Sequence, residues 1–127
     1  MKTLWAFLSV MVVACSAHVS SNLQIDGTPF SPKSCRSGQA SGFSGVELAD
    51  PRGQRLRLVR LLDGTFQAVY FPSGSETGES LGACGSMSLR EGSGVINGVR
   101  NVEGGANLHC DTSKYKVTGR VEFGSCH

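Results

Sequence analysis

The sequence predicts an all-β fold: a small antiparallel barrel or sandwich of about seven strands in meander-like order, stapled by disulfides. Three observations carry this. Seventeen glycines in 127 residues, with only 7% aromatic residues, call for many turns and a thin core. Alternation of apolar and polar residues recurs behind Leu23, and no helix-length 3.6-residue pattern competes with it. Four cysteines, Cys35, Cys84, Cys110 and Cys126, fall in the same region, the even number expected of a crosslinked exported domain. That stretch, residues 23–127, has the usual size of one domain, and no internal repeat divides it.

Taken in order, Leu23-Gln24-Ile25 alternates up to Asp26-Gly27, a turn signal, and reads as a short first strand. Pro29, Pro32 and Gly38 then punctuate an irregular segment around Cys35. Phe43 to Leu48 resumes the strand pattern. Asp50-Pro51-Arg52-Gly53 follows, a type I turn in which Pro presets the backbone and Asp caps it. Arg55 to Leu62 and Thr65 to Phe71 flank Asp63-Gly64, a two-residue hairpin signal. Folding there pairs Leu58 with Val69, Leu56 with Phe71 and Arg57 with Tyr70, which leaves apolar groups on both faces. A strongly twisted ribbon or a barrel corner is the expected result.

Ser73 to Gly82 is a polar, glycine-containing stretch and reads as a mobile loop. Met87 and Leu89 alternate with Ser86, Ser88 and Arg90 before the turn signal Asn97-Gly98. From Tyr115 to Phe123 every odd position is apolar or Gly and every even one polar, the mark of a strand with one wet face. A turn at Thr112-Ser113 pairs it back, with Leu108 opposite Val117 and Cys110 opposite Tyr115, and sends His109 and Lys116 to water.

Three connectivities are open to four cysteines. In the last hairpin Cys110 lies beside the turn and Cys126 some 30 Å away at ~3.3 Å per residue, whereas a bond needs Cα atoms within about 7 Å. Folding about Asn97-Gly98 brings Cys84 within one residue of facing Cys110, and a single bulge completes the match. The expected bonds are therefore Cys84 to Cys110 and, by elimination, Cys35 to Cys126.

The N terminus is a targeting signal. Met1-Lys2-Thr3 is positively charged and Leu4 to Ala14 is apolar, too short a run for a transmembrane helix, which needs ~20 residues. Val12-Val13-Ala14-Cys15 closes it and resembles the lipobox of bacterial lipoproteins, which are cut before a cysteine that then carries lipid. The resemblance implies a signal peptide at residues 1–14. It further implies a diacylglyceryl thioether on Cys15, usually with an acylated amino terminus, and a lipid-anchored tether at residues 15–22. Ser16, in place of the aspartate that favours inner-membrane retention in enterobacterial lipoproteins, implies the bacterial outer membrane. Ordinary cleavage after Ala17, giving a secreted or periplasmic protein, remains the competing reading.

Charge excludes little. Twelve Lys and Arg against ten Asp and Glu create no long-range field for nucleic acid or an anionic surface. Arg52, Arg55, Arg57 and Arg60 form the densest basic run, but without interleaved aromatic residues it reads as a solvated strand face. His109-Cys110 and Cys126-His127 together have zinc-ligand chemistry, yet thiols in an oxidising compartment prefer disulfides. No metal and no cofactor are expected. There is no G-x-S-x-G and no phosphate loop, so no catalytic residue and no enzymatic activity are expected. The function these readings imply is an envelope-anchored, non-catalytic binding or structural module with a possible protein partner. Two alternatives are a hydrolase inhibitor, on a fold-level analogy with small periplasmic lysozyme inhibitors, and a metal or redox protein.

Overall fold

The computed structural model describes residues 17–127. They form two antiparallel sheets and one short 3-10 turn, Gly38–Ser41. One sheet holds six strands: β1 (His18–Ser21), β2 (Gln24–Ile25), β3 (Thr28–Pro29), β9 (Gly85–Ile96), β10 (Val99–Asp111) and β11 (Lys116–Cys126). The other holds β4 (Ser34–Ser37), β5 (Ser44–Ala49), β6 (Arg55–Arg60), β7 (Phe66–Phe71) and β8 (Glu79–Gly82) as a simple meander. Both sheets keep open edges, so the fold is a sandwich and not a barrel. Eleven strands replace the expected seven or so. The surplus comes from β1, β3, β4 and β8, each four residues or fewer and too short to show a period, while β2 is the short first strand read at Leu23-Gln24-Ile25.

The core lies between the sheets. Val46, Leu48, Leu56, Leu58, Ala68 and Tyr70 face it from one side. Ala106, Leu108, Val117, Val121 and Phe123 face it from the other, and Leu23, Ile25 and Phe30 close one flank. Each apolar set sits at every second residue, as a sheet with one buried face requires.

The β6–β7 hairpin corrects the expected register. Arg55 pairs with Phe71, Leu56 with Tyr70 and Leu58 with Ala68, one residue away from the two-residue turn arrangement. Leu61 N donates to Thr65 O at 2.9 Å and Gly64 N to Leu61 O at 2.9 Å. This is a three-residue loop whose last residue, Gly64, takes the left-handed conformation at φ 86°. A one-residue slip exchanges the faces of one strand against the other. Leu56, Leu58, Phe66, Ala68 and Tyr70 then share a single buried face, and no twisted corner is needed.

The β10–β11 hairpin is offset by two residues, Cys110 pairing with Val117 and Leu108 with Gly119. An even shift preserves the faces, so His109 and Lys116 point outward as expected. The Asp50 turn forms as read: Gly53 N donates to Asp50 O at 3.1 Å, and Asp50 Oδ1 accepts from the amides of Arg52 and Gln54 at 3.0 and 2.9 Å.

Two stretches read as irregular are partly sheet. Residues 18–21 of the expected tether are β1, paired with β11 from His18 opposite Gly124 to Ser21 opposite Val121. The end of the expected Ser73–Gly82 loop is β8, paired with β7. In both cases an available sheet edge, and not the local sequence, supplies the hydrogen-bond partners.

Both disulfides form as expected, Cys35 with Cys126 at a Cα separation of 5.1 Å and Cys84 with Cys110 at 4.9 Å. Bonds of this kind persist in oxidising, extracytoplasmic compartments. The register that leads to Cys84 differs from the expected one: residues 92–94 of β9 stand opposite Asn101 alone, a slide of two residues and not of one. Cys84 therefore comes level with His109, whose N donates to Cys84 O at 2.8 Å, and bonds to Cys110 one residue along. The Cys35–Cys126 bond does depend on a bulge. One extra residue in β11 near Ser125, at φ 52°, changes the phase between Phe123 and Cys126. Without it Cys126 would share the outer face with Glu122. With it the sulfur turns into the core and reaches Cys35 on the opposite sheet.

Candidate binding face

The outer face of the β4–β8 sheet carries the most organised polar cluster. Arg55 and Arg57 alternate outward on β6, and Glu47 on β5 stands directly opposite Arg57. A single oxygen, Glu47 Oε1, takes Arg55 Nη1 at 2.9 Å and Arg57 Nε at 3.5 Å. Aromatic rings back both guanidiniums. Arg55 lies 4.4 Å from the Phe71 ring centre, and Arg57 lies 5.0 Å from Phe71 and 5.2 Å from Phe43. Arg55 Nη2 also reaches Ser75 O at 3.5 Å. Each side chain keeps about 30% of its surface exposed. At that exposure each contact contributes at most ~1 kcal/mol, but together they fix two rotamers.

Beside the pair lies an open depression of about 670 Å³ lined by Gly53, Arg55, Arg57, Phe71, Gly74, Ser75 and Glu76. The glycines leave the guanidinium edges uncovered. Five N–H groups per arginine exceed what Glu47 and Ser75 accept, so the free donors can take a carboxylate or phosphate. The sequence showed these arginines but not their rings, because Phe43 lies just ahead of β5 and Phe71 at the end of β7, the strands on either side of β6. The signal was the hairpin register, which sets Phe71 opposite Arg55 only once the loop has three residues.

Two other concavities are less organised. A cleft of about 350 Å³ opens at the sandwich mouth, where Phe43, Leu89 and Val102 meet Ser37, Ser44 and Glu91. On the outer face of the six-stranded sheet, a groove over Gly104 and Gly105 is rimmed by Arg90–Glu103 and Arg120–Glu122 pairs at 3.3 and 3.1 Å, which satisfy each other.

The other sequence candidates separate. Cys110 and Cys126 belong to different disulfides and offer no thiolate. His109 is exposed on β10, while both ring nitrogens of His127 are buried without a hydrogen-bond partner. Among the described residues no three His, Cys, Asp or Glu side chains gather as metal ligands, and no helix is long and apolar enough to cross a membrane. The signal segment and Cys15 lie outside the described residues. No protein-family model, curated protein or solved structure matches this chain.

Proposed function

We propose that this chain is an exported lipoprotein, held at the bacterial outer membrane by lipid on Cys15. It acts as a non-catalytic module that binds an acidic group of a protein partner in the envelope. The observation that carries the binding reading is the Arg55–Arg57 pair, held side by side by Glu47 and stacked on Phe71 and Phe43. A pre-ordered pair loses little side-chain entropy on meeting a carboxylate. Export is supported by the two disulfides. Anchoring is supported by the lipobox-like Val12-Val13-Ala14-Cys15, three residues ahead of the first strand.

Cleavage after Ala17 would leave β1 whole, so folding does not report on the anchor and mass does. Intact-mass analysis of protein from native membranes is expected to find lipid on Cys15; an unmodified terminus at His18 would sink the anchor. For the binding face, envelope extract passed over wild-type and Arg55→Gln/Arg57→Gln protein should yield a partner only with wild type, released by moderate salt. Equal recovery by the double variant, with unchanged thermal unfolding, would rule the face out.

A further inference from the structure

The described residues expose four large apolar side chains, in two pairs at two hairpin tips: Leu61 and Leu62 between β6 and β7, Val95 and Ile96 at the end of β9. The second pair stands where the anchor enters. β1 starts opposite Gly124 and β10 makes its last pairing with β11 at Val102 opposite Cys126, so the N terminus joins the sheet at the end from which the β9–β10 hairpin leaves it. Beyond Val102 the hairpin continues for three residues to Val99, about 10 Å at ~3.3 Å per residue. Cys15 precedes His18 by three residues and cannot lie farther than ~10 Å from it. A lipid on Cys15 therefore keeps the bilayer surface within reach of the tip.

Resting on the lipid-anchor reading of Cys15, we propose that the β9–β10 tip seats the domain on the membrane, with Val95 and Ile96 entering the boundary between headgroups and acyl chains. Val95 is 55% and Ile96 48% exposed, the last two residues of β9, paired with Arg100 and Val99 across the turn at Asn97-Gly98. Two β-branched side chains are far too few for a protein interface, which takes ~20–30 residues a side. They suit shallow insertion beside acyl chains already present. Arg100 follows, 62% exposed and only loosely held by Glu91 at 3.9 Å. Its stem can lie along the apolar tip while its guanidinium meets lipid phosphate. With the tip and Cys15 both on the membrane, the domain has two points of attachment and a fixed tilt.

The only tryptophan of the sequence is Trp5, ahead of Cys15, so the lipidated chain has none. Ile96→Trp supplies a unique fluorophore. Leu62→Trp is the control, on a turn whose neighbours Gly64 and Phe66 lie by Met87, nine β9 residues or ~30 Å back from the tip. Lipidated full chains are reconstituted into phosphatidylcholine vesicles with 20-odd per cent phosphatidylglycerol, roughly an anionic bacterial surface, with and without brominated acyl chains. The indole of the Ile96→Trp protein should emit at shorter wavelength and lose most of its emission to bromine, while that of the Leu62→Trp protein does neither. Lipid on Cys15 by mass, with the two indoles equally exposed to water, overturns the seating alone. Absence of lipid on Cys15 overturns the anchor and the seating with it. When Ile96→Trp is combined with Cys15→Ser and no vesicles are present, an emission shift that grows with protein concentration assigns the tip to a second copy and also overturns the proposal.

Discussion

Tyr70 shows how one buried polar group ties stability to pH. The residue is 5% exposed, its hydroxyl donates to Gln54 Oε1 at 3.1 Å, and its ring meets that of Tyr115 edge-on at 4.7 Å. Burial, with the nearby Tyr115 adding to it, pushes its phenol above the ordinary 10.0. The folded state thus holds the Tyr70 proton more tightly than the unfolded chain does. Its contribution is intact below pH 10 and is lost as pH rises through the raised folded value. Urea unfolding at stepped alkaline pH should show stability falling above about pH 10, and Tyr70→Phe should flatten that fall. At neutral pH the same variant should cost about 1 kcal/mol for the lost hydrogen bond.

The hairpins show what was legible in the sequence and what was not. The strand from Tyr115 to Phe123 was readable because one face is wet: any register that kept Val117, Val121 and Phe123 inside was correct in parity, and the two-residue offset did no harm. The β6–β7 hairpin lacked that check, since apolar residues occupy both outer and inner positions, so the loop length alone decided the faces. Asp63-Gly64 signals a turn in either case. The deciding feature is Gly64 in the left-handed position, with Asp63 Oδ1 accepting from Thr65 N and Oγ1 at 3.0 and 2.6 Å. Gly64→Ala should therefore cost about 1 kcal/mol, read as a lower urea midpoint with an unchanged slope, because Ala is disfavoured at positive φ. β1 was illegible for another reason. His18-Val19-Ser20-Ser21 holds a single apolar residue, and it is a strand because the edge of β11 accepts it. The arginines of the candidate face stood out as a run, but their aromatic backing comes from segments remote in sequence, Phe43 ahead of β5 and Phe71 at the end of β7.

Across the molecule, the sheets are joined by packing and by one covalent bridge. Cys35–Cys126 closes a separation of 91 residues and Cys84–Cys110 one of 26. Restriction of the unfolded chain gives ~4–5 kcal/mol for the first and ~3–4 for the second. Replacing each pair by alanine in an otherwise intact protein should thus cost more for Cys35–Cys126, by about 1 kcal/mol, measured by urea denaturation at neutral pH. Equal losses, or a larger one for Cys84–Cys110, would show that native packing outweighs chain restriction here.

The course of β1 along β11 sets how the fold bears a load applied at its N-terminal strand. A pull on His18 directed along β1 strains the rungs from His18 to Ser21 together in shear and does not peel them apart one at a time. From β11 the load passes to β4 through Cys35–Cys126, and from β4 along the meander to β6. At the one step where two sheets could slide past each other, tension is carried by a covalent bond.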